Sequence, residues 1–321
     1  MVIRLKRLPI IFWLITFLFF IHAPVQGYVL QGLHILDLMI EQLGQTQSLY
    51  VTQGVIFYRP ASQNDAETSE IMDAPPQSTE PTETDLPEDR IAELGHNVAA
   101  QGTLELEETL SYLFSTAFRS DARSRDSERI HVVSGDRSLT IFDGNIAPAA
   151  ANRFDLYKDI LLYRTREELA DRLLELGVDV SVSSLGRFEG EINFVLGAVY
   201  PDDSVSQIWI DRETFLPIRW VMRGGSIGSA SDVLEVHYLA WWKSGQSRYP
   251  SRIEFYQDGE LVRVNQVKDF REGDMFSDDL FDIDLLRLSY PQTPEQPLIP
   301  GEPDEPSEVQ KTIEEFRRVF E

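Results

Sequence analysis

The sequence predicts a mainly β fold of the α+β class, built on a long antiparallel meander over residues 191–268 whose apolar face must be covered by helices. Within it, Asp232 to Trp242 alternates: Leu234, Val236, Tyr238, Ala240 and Trp242 fall on one face, Val233, Glu235, His237, Leu239 and Trp241 on the other. Further on, Asp258-Gly259 in SRIEFYQDGELVRVNQVK is the strongest hairpin signal in the chain. The third observation is an amphipathic helix ahead of all the strands. YVLQGLHILDLMIEQLGQ spaces Val29, Leu33, Leu36, Ile40 and Leu43 along one side, and Gly44 suits its end.

The chain opens MVIRLKRLPIIFWLITFLFFIHAPVQG, with Arg4, Lys6 and Arg7 before an uncharged run from Leu8 to Ile21 and small residues at Val25 and Gly27. This reads as a secretory signal peptide over 1–27, cleaved after Gly27, with an uncleaved anchor as the alternative. The expected address is the periplasm, without stable membrane insertion after cleavage. The chain has no cysteine, which excludes disulfides, thiolate metal sites and acylation at a cysteine. Its formal net charge is −24, and the leader would take three cations away with it. Such a field repels nucleic acid and anionic membranes.

SLYVTQGVIFYR reads as the first strand. From Ala61 to Arg90 there follow nine acidic residues, one basic residue and four prolines, a composition predicting a disordered acidic loop inserted in a hairpin. A basic partner or cations are its alternative use. Strand signals resume in GTLELEETLSYLF and ERIHVVSGDRSLTIFDGN, with Gly135 and Asp136 at a turn. DLYKDILLYRTREELADRLLELGV reads as helical, with Thr165 and Glu168 as a capping box, Leu169, Leu173, Leu174 and Leu176 as its apolar side, and Gly177 as its stop. EINFVLGAVY and the hairpin QIWIDRETFLPIRWVM lead into the rest of the meander. The body is expected over 28–288. A proline-rich spacer over 289–306 carries prolines at 291, 294, 297, 300, 303 and 306, a period of three that matches polyproline II. The last residues, 307–321, read as a short helix with Val309, Ile313, Phe316 and Phe320 in a stripe. It either folds back onto the body or offers a handle to an envelope protein.

Catalytic and metal motifs are weak. GGSIG at Gly224 to Gly228 matches the Gly-x-Ser-x-Gly elbow, but a strand rather than a helix follows it. His34, His96, His131 and His237 are isolated from second ligands, with His237 reading as a structural strand residue, and Asp282 with Asp284 lacks the rest of a calcium loop. Carboxylates are too abundant for any pair to be specific. No cofactor or metal is called for, and the residues favour a binding protein over an enzyme.

The hairpin carries a resemblance. Ile210, Asp211, Thr214, Pro217, Ile218 and Arg219 in IDRETFLPIRW are similar to the pattern of the periplasmic lipoprotein carriers, the outer-membrane lipoprotein-sorting proteins and related periplasmic sensor domains. VVSGDRSLTIFDGN resembles a second stretch of that family. The family's latch arginine before a proline has no counterpart in SYLFSTAFRSDAR, so that role is not carried over to Arg119. The acidic loop and proline-rich tail are likewise additions to the pattern.

The resemblance implies an incomplete antiparallel β-barrel wrapped around helices that act as plug or lid. Acyl chains of lipoproteins or lipids would enter between sheet and helix. The expected lining is Phe194, Leu196, Ile208, Ile210, Leu234, Val236 and Tyr238, with Leu33, Leu36 and Ile40 under the lid; ordinary core packing is the alternative for all of them. The expected function is a soluble periplasmic carrier or chaperone for acylated cargo. The alternative is a sensor or interaction module signalling through the acidic loop or the tail.

Overall fold

The computed structural model describes residues 30–58, 104–147, 152–224 and 233–291. The leader, Val29, the acidic stretch, Ser226 and the tail from 292 onward lie outside the described residues. The chain divides into two units, Met1–Leu30 and Gln31–Glu321, and every described strand and helix belongs to the second.

β1 (Ser48–Phe57), β2 (Leu104–Leu113), β3 (Ala117–Arg123), β4 (Glu128–Ser134), β5 (Arg137–Phe142) and β6 (Asn145–Ile146) make one meander. β7 (Ser183–Phe188), β8 (Glu191–Leu196), β9 (Gln207–Asp211), β10 (Pro217–Arg223), β11 (Val233–Ser244), β12 (Ser247–Gln257) and β13 (Glu260–Glu272) make another. The two join where β1 pairs with β13, giving one 13-stranded sheet in the order β6-β5-β4-β3-β2-β1-β13-β12-β11-β10-β9-β8-β7. Its two edges, β6 and β7, do not meet, so the sheet is an incomplete antiparallel barrel. A sheet this wide twists and curls, and the face it curls around needs filling.

The filling comes from α1 (Gly32–Leu43) and from the link between β6 and β7, which travels from one sheet edge to the other. That link holds a 3₁₀ turn (Arg153–Lys158), α2 (Asp159–Leu162) and α3 (Arg166–Glu175). Phe154 and Tyr157 meet the Phe255 ring of β12 at 5.8 and 5.4 Å, and the Tyr238 hydroxyl donates to the Tyr157 carbonyl at 2.9 Å. The single helix expected from Asp155 onward is therefore three pieces, because the chain turns extended at Tyr163 before Thr165 starts a new helix. Thr165 accepts from the Glu168 amide at 3.3 Å and donates to its carboxylate at 2.8 Å. At the other end, Gly177 at φ 83° lets its own N–H reach Leu174 O at 3.0 Å and the Val178 N–H reach Leu173 O at 2.8 Å, a Schellman ending. Leu169 and Leu173 are buried, whereas Leu174, expected beside them, is 63% exposed because α3 offers only one seam to the interior.

The turns match their sequence signals. Asp258 and Gly259 both take positive φ between β12 and β13. Asp211 accepts from the Glu213 and Thr214 amides and the Thr214 hydroxyl, at 3.1, 2.6 and 2.7 Å. The alternation of β11 holds as far as Tyr238 and then breaks at Ala240, whose φ of 49° turns the chain. As a result Trp242 is 45% exposed, while the Trp241 ring lies 6.5 Å from that of Tyr238. Several elements escaped the sequence reading, among them β3, β7 and α4 (Ile283–Ser289). Asp282 is the N-cap of α4, accepting from the Asp284 and Leu285 amides. Ile283 and Leu286 pack on Ile130, Val132, Leu139 and Ile141, on the opposite side of the sheet from the β6–β7 link.

Candidate functional site

The inner face of the sheet is apolar on β8 to β12, and on β1 to β5 an ionic cluster is set among apolar side chains. Registers place Phe194 opposite Ile210, Leu196 and Trp220 opposite Ile208, and Val236 opposite both Trp220 and Phe255, so these side chains line one face of β8 to β12. The seven expected lining residues, Phe194, Leu196, Ile208, Ile210, Leu234, Val236 and Tyr238, all lie there with exposures of 0–6%. The hollow at these positions is filled by the protein's own side chains.

α1 supplies part of that filling. Ile35, Leu36, Met39, Ile40 and Leu43 are all within 5% of full burial. Leu36 and Ile40 are where the spacing put them; Leu33 is not, being 45% exposed. The correction is a rotation of the buried stripe toward Ile35 and Met39, and it follows from Gly32, whose position leaves no room for a side chain: a Cβ there would sit 2.0 Å from Val180 O. The helix has no side-chain N-cap, no acidic residue in its first turn and no basic one in its last. Polar ties at its rim are few: Arg166 to Asp37 at 3.0 Å, and Arg248 to the Gln42 carbonyl at 3.1 Å. Burial holds it down. Where cover ends, at the β7–β8 edge, Leu185 and Ile192 share the face of Phe194 by register and are 37% and 43% exposed.

On β1 to β5 and β13 the same face carries buried Leu49, Val51, Val55, Leu106, Leu110 and Phe118, and an ionic cluster is set among them. Glu108 accepts from Gln53 and Ser120, each at 2.5 Å, and lies 3.6 Å from the Arg263 guanidinium, which also covers the Phe255 ring at 4.8 Å. Arg129 binds Asp155 with both terminal nitrogens. Lys158 donates to Asp155 O at 2.9 Å and pairs with Asp159 at 3.2 Å, and Arg172 reaches Asp159 at 2.7 Å. Burial pushes the Asp155 carboxyl up, but Arg129, His131 and Lys158 outweigh it and hold it far below the usual carboxylate range. Burial also brings His131 down to about 4, and its Nδ1 lies 3.0 Å from Thr140 Oγ1. Beside this network, a cleft of about 950 Å³ opens between the β4–β5 hairpin and α3, lined by His131, Thr140, Asp155, Lys158, Asp159 and Arg172 among others.

Sequence reading missed this ionic cluster, although a signal existed. In LELEETLSY, Glu108 falls in phase with Leu104, Leu106, Leu110 and Tyr112, and an ionic residue in an apolar phase asks for a buried partner. The partner Arg263 lies far along the chain and could not be named from spacing. His237, expected as a strand residue, sits on β11 with its Nε2 3.3 Å from Glu235, which Arg219 also binds at 2.7 Å. Among the described residues no group of three or more His, Cys, Asp or Glu is placed to hold a metal, and no helix is long and apolar enough to cross a membrane.

No family model and no curated protein matches the chain. Solved structures do. A LolA superfamily protein from Nitrosomonas europaea is similar at 10% identity and a TM-score of 0.48, over 80% of this chain and 99% of that one. A DUF1329 family protein from Desulfovibrio piger is similar at 11% identity and 0.46, over 80% and 98%. An outer membrane lipoprotein-sorting protein domain from Vibrio parahaemolyticus is similar at 10% and 0.45, over 79% and 97%.

Proposed function

We propose that the chain is an exported, carrier-type binding protein that accepts an acylated guest between α1 and the apolar face of β8 to β12, the described conformation being its closed, guest-free state. The observation that carries this reading is the way α1 is held: five buried apolar side chains, no side-chain N-cap and few polar ties, over a face whose β7–β8 edge is left uncovered. Magnitudes narrow the guest. Exposing five such side chains costs roughly 7–15 kcal/mol at about 1.5–3 each, while a 16-carbon acyl chain returns about 12 at about 0.8 per CH₂. One chain only breaks even. Two or more would displace the helix with net gain, so a diacyl or triacyl guest fits the exchange. Release then needs a competing apolar acceptor or reclosure of α1.

The test is native mass spectrometry of delipidated protein mixed with dipalmitoylglycerol. A one-to-one adduct is expected, and its absence with di- and triacylated compounds alike would remove the carrier reading. The 0–6% exposure of the lining favours a second reading, in which the face is plain core and the chain is an interaction module. That reading gains if no acyl adduct forms and an envelope protein is retained by the full chain but not by a chain ending at Ser289.

A further inference from the structure

The link between α2 and α3 buries a charge that the protein does not answer. Arg164 is 8% exposed, and none of its three guanidinium nitrogens has a hydrogen-bond partner among the described residues. The other buried arginines of the inner face face carboxylates: Arg129 faces Asp155, and Arg263 faces Glu108. Arg164 instead stacks on the Phe114 ring at 4.1 Å, in an aromatic nest where Tyr112 meets Phe114, Phe118 and Tyr249 at 5.8, 4.9 and 6.0 Å. A stacked ring offsets only part of what a desolvated guanidinium loses.

Its position is fixed from both sides. The Arg164 amide donates to Ser115 Oγ at 3.1 Å, and the Ser115 amide donates to Leu162 O at 3.0 Å, so the β2–β3 turn is strapped across the link. Ser115 holds this place at φ 62°, a conformation that a non-glycine residue adopts at some cost. The backbone that carries the guanidinium is thus held in place, and two phenol hydroxyls, Tyr112 and Tyr249, lie 3.0 Å apart in the same nest. Guanidinium offers a planar fork of donors to a phosphate or carboxylate, and a phenol O–H can add another.

We infer that Arg164 is the receptor for an anionic oxygen group, a phosphate or carboxylate, carried into the aromatic nest by the guest. This deepens the carrier reading and rests on it, since the guest would then be an anionic diacyl lipid rather than any acylated molecule. A free phosphate presents the same oxygens, so the experiment has to separate headgroup from ion.

Dipalmitoyl phosphatidic acid and dipalmitoylglycerol differ only in the phosphate, and each is titrated into the full chain, wild type and Arg164→Met, from detergent micelles. Wild type should bind the phosphatidic acid at least about tenfold more tightly, the worth of one charge-assisted bond. Arg164→Met should lose that preference and keep its affinity for dipalmitoylglycerol. Arg164→Lys, which retains the charge without the fork, should keep part of it and stands in if the methionine variant fails to fold. Equal preference in wild type and variant overturns the inference while leaving the carrier reading intact. If no acyl compound binds, inorganic phosphate alone decides: a higher Tm in wild type but not in Arg164→Met sustains an anion site without a lipid, and no selective shift overturns it.

Discussion

Arg129 of β4 grips the Asp155 carboxylate with both of its terminal nitrogens, tying the sheet to the link that fills it. Both side chains are about nine-tenths buried. Asp155→Asn keeps the shape and removes the charge, leaving the Arg129 guanidinium buried without this counter-ion. The expected loss is about 3–5 kcal/mol in urea denaturation at pH 7. Because the folded Asp155 titrates well below 3.8, its contribution is complete above that value and is lost as pH falls below it, so wild type and variant should converge in strong acid.

His131 gives a second handle on the same cluster, in a higher pH window, and faces Asp155, Arg129, Lys158 and Asp159. With its folded value at about 4 and an ordinary value of 6.5, the unfolded chain takes up a proton in that window and the folded chain does not. Stability therefore falls as pH drops from 6.5 to 4, by about 3 kcal/mol. His131→Gln, which can still bond Thr140, should flatten this part of the profile. An unchanged slope would show that another group is responsible.

Gly32→Ala tests the seat of α1. Its Cβ would meet backbone at Val180, which cannot swing aside, so the helix must lift. A stability loss of about 1–3 kcal/mol is expected, together with faster uptake of dipalmitoylglycerol. Loss of stability with slower uptake would mean that α1 is a wall of the site and does not open.

Thr165→Ala removes the cap that restarts the chain as α3. About 1 kcal/mol should be lost by thermal unfolding, and Thr165→Ser should restore most of it.

Much of this molecule was written in local pattern. Alternation put Leu234, Val236 and Tyr238 on the inner face, the pairs Gly135-Asp136 and Asp258-Gly259 set two turns, and Thr165 with Gly177 bounded α3, because each depends on residues a few positions apart. Periodicity also found α1 but misjudged its rotation by one position, since Leu33 and Ile35 are both apolar and only the Gly32–Val180 contact chooses between them. What pattern could not reach was everything that joins distant segments: β1 against β13, Arg263 against Glu108, Arg129 against Asp155, and Arg164 in its aromatic nest. Whether the inner face is hollow or full belongs to the same class. Which side chains point inward is a matter of alternation, but the space left among them depends on the whole curl of the sheet and on what the β6–β7 link lays across it.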